Sequence, residues 1–207
     1  MLISFEGIDG SGKSTQLMRT LEWLKQLAYD VLLTREPGGT VAGEAIRDLL
    51  LDPQSHLSAR AEFLLYSASR AQLVDHVLLP HLQKPRAIAL VDRFADSSTV
   101  YQGAGRELGV DEIEAVNRFV TGNLFPDLTL YLDVDYATSV TRRHAAGSEP
   151  DRLEQNPREF FEAVRQAYLE LCDRHPQRVT KIDASGVEDI VFAQVQAAIA
   201  ARLPVKP

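Results

Sequence analysis

Residues 2–15 read Leu2-Ile3-Ser4-Phe5-Glu6-Gly7-Ile8-Asp9-Gly10-Ser11-Gly12-Lys13-Ser14-Thr15, and their order decides the fold. Residues 2–5 form a short apolar run of the kind that makes a strand buried on both faces. Gly7 to Ser14 then fits GxxxxGK[ST] at every position. Beyond it, Leu17, Leu21, Leu24 and Leu27 recur at helical spacing. In a strand–loop–helix context the glycines let backbone N–H groups turn inward around phosphate oxygens. The helix N-terminus points its positive end at the same place. Gly7, Ile8, Asp9, Gly10, Ser11, Gly12, Lys13, Ser14 and Thr15 are therefore expected to bind the phosphates of a nucleoside triphosphate. Lys13 would reach the β- and γ-phosphates, and the Ser14 hydroxyl would ligate Mg²⁺. A glycine-rich turn with an accidental lysine is the plainer alternative, and eight matching positions behind a strand argue against it. The loop does not by itself specify a reaction.

Outward from this loop, short apolar runs at 31–34, 87–91, 128–132 and 179–182 supply four more strands. Helical patterns lie between them: 62–82, ending around Pro80, then 111–120, 136–145, 157–172 with Pro157 in its first turn, and 187–203. Strand–helix alternation predicts a doubly wound α/β architecture, the P-loop NTPase fold: a five-stranded parallel sheet with helices on both faces. Residues 1–207 are expected to form a single domain, with ligands beyond the carboxyl ends of the strands.

The chain has 207 residues and a formal net charge of −7. That charge argues against a general nucleic-acid coat or a polybasic membrane binder, and leaves room for a local arginine pocket. Cys172 is the sole cysteine, so no intramolecular disulfide forms, which fits a reducing compartment. It sits in an apolar helical pattern and reads as a core residue. The first residues carry no basic n-region, and no stretch approaches the roughly 18 apolar residues of a membrane span. The five histidines form no metal-binding pattern.

Four further segments carry candidate chemistry. Arg35-Glu36-Pro37-Gly38-Gly39-Thr40 places a cation beside a flexible loop, although a plain β-to-α connection would look the same. Arg47, seven residues on, faces either the same cleft or solvent. Tyr66 and Arg70 are four apart on one helix face. They suit a base-binding pair, although taken alone a packed ring beside a surface arginine is the better reading. Asp92-Arg93-Phe94 ends the third strand, where Asp92 is placed to hold the water shell of Mg²⁺ and Arg93 to meet a transferred or acceptor phosphate. Ser97, Ser98, Tyr101 and Gln102 follow as a polar helix start. Arg142, Arg143 and Arg152 bracket a polar stretch with Gly147, Ser148 and Pro150. This arginine-containing segment, about 142–152, reads as a lid or as a solvated loop.

Seven segments now stand in one order and spacing: FEGIDGSGKST (5–15), TREPGGT (34–40), GEAIR (43–47), LLYSASR (64–70), VDRFADSSTVYQG (91–103), FPDLTLYLDV (125–134) and DRLE (151–154). Together they resemble the bacterial thymidylate kinases over most of the chain. The resemblance implies transfer of the γ-phosphoryl of ATP to dTMP, giving dTDP and ADP in dTTP supply. It implies Mg²⁺ as cofactor, a homodimer with helix 62–82 as a candidate interface, and a cytoplasmic location. Carried over by position, Asp9 contacts the sugar 3′-hydroxyl, and Arg35, Arg47 and Arg93 take the acceptor phosphate. Tyr66 stacks on thymine, Arg70 donates to a thymine carbonyl, and Ser98 and Gln102 contact base or sugar. Tyr101 crowds the 2′ position. Lys13, Arg93, Arg142, Arg143 and Arg152 are the catalytic cations, and Ser14 with Asp92 the metal-side groups. The usual DRY is Asp92-Arg93-Phe94 here, and the usual AYQG has Val100. Gly10 replaces the P-loop arginine of some relatives, which implies that the lid supplies the catalytic cation. Arg178 and the loop 184–187 are placed after the last strand as adenine-side candidates. A GTPase-like switch would need an NKxD-type motif, which is absent from the sequence.

Overall fold

The computed structural model describes residues 1–147 and 152–203. Five strands, β1 (Leu2–Glu6), β2 (Asp30–Arg35), β3 (Ala87–Asp92), β4 (Leu128–Asp133) and β5 (Val179–Asp183), form one sheet in the order β2-β3-β1-β4-β5. Every pairing is parallel. The expected five-stranded α/β sheet is therefore present, with β1 and its loop at the centre.

Alternation along the strands divides the interior. Ile3 and Phe5 of β1 stand in register with Leu128 and Leu130 of β4. They share a core with Leu17, Leu21 and Leu24 of helix α1 (Lys13–Gln26) and Val191, Val195 and Ile199 of α9 (Glu188–Ala200). Leu2, Ala89 and Val91 pack instead against Leu73, Val74 and Leu78. Toward the cleft the interior turns polar: Glu6 on β1 accepts from Tyr168 of α8 (Arg158–Arg174) at 2.9 Å, and Tyr168 stacks on Tyr131 of β4 at 4.5 Å. Cys172 lies half-buried against the core, and burial pushes its thiol up to about 11, as suits a packing residue.

The helix expected over 62–82 is longer and less regular than its pattern. It begins at α3 (Ala59–Leu73), with Ser58 capping the Ala61 N–H, continues through a π-helical turn, Val74–Leu78, and ends as α4 (Leu79–Leu82). Pro80 lies inside its last turn rather than ending it. The π turn has already displaced the regular i→i−4 ladder there, so the proline's missing N–H interrupts little. Two helices complete the walls of the cleft: α2 (Val41–Leu51), capped by Thr40, and α5 (Ala95–Ser98), which runs on as a π-helical stretch, Thr99–Gly105. The others are α6 (Val110–Val120) and α7 (Tyr136–Ala146). Pro157 is the residue before α8 rather than within its first turn.

Candidate active site

A cleft of about 840 Å³ opens over the carboxyl ends of β1, β2 and β3 and the start of α1. Residues 9–15 of the glycine-rich loop line its floor. Gly12 adopts φ 93° before α1, and the Ser14 and Thr15 side chains at the helix start face solvent. Gly10 is fitted closely: a Cβ there would lie 2.5 Å from the Ser139 carbonyl oxygen of α7. Ser139 Oγ also donates to the Asp9 carbonyl at 2.7 Å. An arginine at position 10 would collide with α7, which agrees with the reading that the loop itself supplies no arginine.

Lys13 is folded onto its own loop. Its Nζ donates to the Gly7 and Ile8 carbonyls at 3.0 and 3.1 Å and lies 3.7 Å from Asp9. Gly7 and Ile8 therefore act through their backbone rather than by lining the cleft. Arg93 meets the same carboxylate from the other side, with Nη2 at 2.9 Å from Asp9 Oδ1 and the guanidinium 5.2 Å above the Tyr101 ring. Burial pushes the Asp9 pKa up, but Arg93 and Lys13 outweigh it and hold this carboxyl well below the usual range. Burial and the nearby Arg93 charge lower the pKa of Lys13.

Arg93 is aimed by backbone conformation. Its φ is 65°, a left-handed value uncommon for a residue with a Cβ. Three bonds hold the turn: Arg93 N–H to the Phe5 carbonyl at 3.0 Å, Phe94 N–H to Glu6 Oε1 at 2.8 Å, and Ser97 Oγ–H to Glu6 Oε2 at 2.5 Å. Glu6 is fully buried. Desolvation, reinforced by Asp96, raises its pKa to about 7 against the hydrogen bonds that oppose it.

At one end of the cleft stand Arg35, Arg47, Tyr66, Ser98, Tyr101 and Gln102. Arg35 pairs with Glu44 of α2 at 2.9 Å, and Arg47 Nη1 donates to the Pro37 carbonyl at 2.9 Å. Arg70, only 1% exposed, lies beneath this end rather than in its lining. It pairs with Glu36 at 2.7 Å and donates to Asn117 Oδ1 at 2.9 Å and Ser98 Oγ at 3.0 Å. At the other end Ala184, Gly186, Val187 and Val191 face Arg142, whose Nη2 donates to the Ala184 carbonyl at 3.0 Å. Arg178 is not there. It precedes β5, at the far edge of the sheet, in a bidentate pair with Asp96 at 2.6 and 2.8 Å. Its placement as an adenine-side residue is corrected accordingly, while the loop that follows β5 does reach the cleft.

The three lid arginines separate. Arg142 lines the cleft. Arg143 lies 3.8 Å from Glu154 and stacks over Phe161, and Arg152 is turned onto Glu62 at 2.7 Å and the Leu50 carbonyl at 2.7 Å. Residues 148–151 of the expected lid, with Ser148 and Pro150, lie outside the described residues. Sequence reasoning missed the buried carboxylates Glu6, Glu36 and Glu62. The signal for Glu62 was present: it shares a helical face with Tyr66 and Arg70 at i, i+4 and i+8.

A family model for thymidylate kinase matches residues 5–195. The chain belongs to the thymidylate kinase family. A thymidylate kinase of Caldanaerobacter subterraneus subsp. tengcongensis is 46% identical over 189 residues, covering 91% of this chain and 88% of that one. One of Deinococcus radiodurans is 45% identical, covering 98% and 97%. The crystal structure of thymidylate kinase from Ehrlichia chaffeensis superposes with a TM-score of 0.78 at 32% identity, covering 97% and 98%. The family phosphorylates dTMP to dTDP, and this chain is an enzyme of that reaction. Among the described residues no helix is long and apolar enough to cross a membrane.

The residues present suit a Mg²⁺ ion that arrives with a triphosphate. Among the described residues no cluster of three or more His, Cys, Asp or Glu side chains makes an all-protein cage. Asp92 Oδ1, however, is buried at the cleft without a hydrogen-bond partner among the described residues, and the Ser14 hydroxyl stands exposed at the loop. Mg²⁺ typically takes one or two protein oxygens and completes its shell with water and phosphate.

Proposed function

We propose that the chain draws the phosphoryl group for dTMP from ATP·Mg²⁺, and that the two phosphate tails meet between Lys13 and Arg93. One observation carries this reading. Both cations converge on Asp9 midway along a cleft with an aromatic, amide-bearing end at Tyr66 and Gln102 and an aliphatic end at Val187 and Val191. The loop 9–15 takes the β- and γ-phosphates, with Ser14 and Asp92 on the metal side. Mg²⁺ supplies neutralisation of the charge spread over the phosphate oxygens.

The acceptor phosphate is assigned to Arg35, Arg47 and Arg93. With a second pKa of about 6 it is already mostly dianionic at neutral pH, so no general base is required. An acceptor oxygen attacks the γ-phosphorus while the bond to the β–γ bridging oxygen breaks and ADP leaves. What the chain contributes is alignment and preorganised positive charge. Asp9 positions Lys13 and Arg93 and takes the 3′-hydroxyl. Tyr66 stacks on thymine, Gln102 and Ser98 face its polar edge, and Tyr101 fills the space of a 2′-hydroxyl. Arg70, which lies beneath Ser98, donates to a thymine carbonyl by turning Nη2 from the Ser98 hydroxyl toward the cleft.

Arg142, Arg143 and Arg152 belong to a lid over 142–152 within a single domain. Arg142, which lines the cleft, and Arg143 beside it supply the remaining transition-state charge, while Arg152 stays on Glu62. A homodimer forms through the outer face of the helix over 62–82, supported there by the exposure of Leu64 at 60% and Leu79 at 40%. The enzyme works in the cytoplasm.

With ATP·Mg²⁺ and dTMP, dTDP and ADP should form in a 1:1 ratio. Lys13→Met should lower the rate about 10³-fold while the melting temperature holds. ADP release without consumption of dTMP would contradict the reading.

A further inference from the structure

Gln102 lines the acceptor end of the cleft. A primary amide offers a carbonyl acceptor on one side and two N–H donors on the other, and the two ends are nearly the same shape. What an amide asks of a ligand therefore depends on what fixes its orientation.

Here the fixing group is Glu62. Its side chain is 1% exposed, and Oε1 lies 2.9 Å from Gln102 Nε2. Arg152 Nη1 donates to Oε2 at 2.7 Å, and Arg106 Nη2 approaches the same oxygen at 3.4 Å. Burial pushes the Glu62 pKa up, but the Gln102 bond and the two arginines outweigh it, so the carboxyl is ionised at neutral pH. An ionised carboxylate only accepts hydrogen bonds. Gln102 must then turn its NH₂ toward Glu62. Its Oε1, on the opposite side of the amide, is left for the cleft that Gln102 lines.

We propose that Glu62 is a specificity-positioning residue. By holding the Gln102 amide in one orientation it presents an acceptor to the incoming base, selecting a pyrimidine that carries N3–H, as thymine does, against one with a bare N3 lone pair, as cytosine has. A free amide would rotate and satisfy either edge. A held one leaves the wrong base with two acceptors face to face, and sites built on such polar matching discriminate far more strongly than sites that count methyl groups. The inference rests on the assignment of this end of the cleft to the base.

The test compares kcat/KM for dTMP and 5-methyl-dCMP, which share the methyl group and differ at N3 and the 4-substituent. Four proteins are assayed with ATP·Mg²⁺: wild type, Glu62→Gln, Gln102→Leu and the double variant that combines Glu62→Gln with Gln102→Glu. Wild type should prefer dTMP, and Gln102→Leu should narrow the preference. Glu62→Gln, whose amide can pair with either face of Gln102, should reduce the preference about tenfold, with KM rising for dTMP and falling for 5-methyl-dCMP. The double variant exchanges the two groups, so that the amide now at position 62 donates to the carboxylate now at position 102. It restores an acceptor toward the base and should recover the dTMP preference. It keeps one carboxylate and one amide among the same arginines, so it decides the matter alone if Glu62→Gln does not fold. If Glu62→Gln slows both nucleotides equally, or if the exchange favours 5-methyl-dCMP, the role of Glu62 is refuted while the base assignment stands. If Gln102→Leu leaves the preference intact, the base assignment itself fails and the inference with it.

Discussion

Arg93 shows how much of this site depends on single side chains that touch no substrate. Its left-handed backbone is held by a buried carboxylate, Glu6, whose pKa rises from the ordinary 4.5 to about 7. The folded chain thus retains the Glu6 proton where the unfolded chain has lost it. The stabilisation this gives is full below about 4.5 and is lost as the pH rises toward 7, on the order of 3 kcal/mol over that window. Glu6→Gln, which stays neutral, should lack this part of the slope. Urea denaturation from pH 5 to 8 checks it, and parallel profiles for the two proteins would count against the assignment. Arg70 makes a second case. Removing it as Arg70→Met leaves Glu36 buried at 5% exposure without its cation, which should cost about 3–5 kcal/mol in the same assay. The companion change Glu36→Met should recover much of that loss. The residues that face phosphate were legible in the sequence because their motifs encode them. The carboxylates that aim them were not, since a buried Glu and a solvated Glu look alike until the fold supplies the partners.

Helices were readable in type more reliably than in extent. The apolar repeat announced a long helix after residue 60, but its π turn at Val74–Leu78 leaves no mark in the hydrophobic period, and Pro80 suggested an end that the displaced ladder removes. Helix α2, which carries Arg47, went without an assigned span because most of its apolar residues, Val41, Ala42, Ala45 and Leu49, are exposed and only Leu50 of the others is buried, so they mark no broad core face. Its position is nevertheless set closely. A Cβ on Gly43 would lie 2.7 Å from the Gly38 carbonyl oxygen and 2.9 Å from Thr40 Oγ1. Gly43→Ala should push α2 away from the Gly38–Gly39 loop and displace Arg35 and Arg47. The expected outcome is a several-fold rise in KM for dTMP with little change in KM for ATP. Equal effects on both constants would mean that α2 does not belong to the acceptor side alone.

At the scale of the whole molecule, the sheet order places the glycine-rich loop of β1 beside the end of β3, so the triphosphate loop and Arg93 meet without any long connection. That juxtaposition was implied by the α/β alternation and the motif at its start. The two ends of the cleft were not, because they are assembled from loops and helices far apart in sequence. Discrimination also belongs to this scale. The thymine methyl contributes only ~1–3 kcal/mol, so dUMP should be used with kcat/KM some 10–200-fold below that of dTMP rather than rejected outright. The most direct test of the whole account is a coupled assay of ADP formation from ATP·Mg²⁺ with dTMP, dUMP, dCMP, dGMP, AMP and thymidine offered one at a time. Strong turnover with dTMP, weaker turnover with dUMP and little with the rest is the predicted result. Preference for any other acceptor, or ADP formation indifferent to the acceptor, would contradict it.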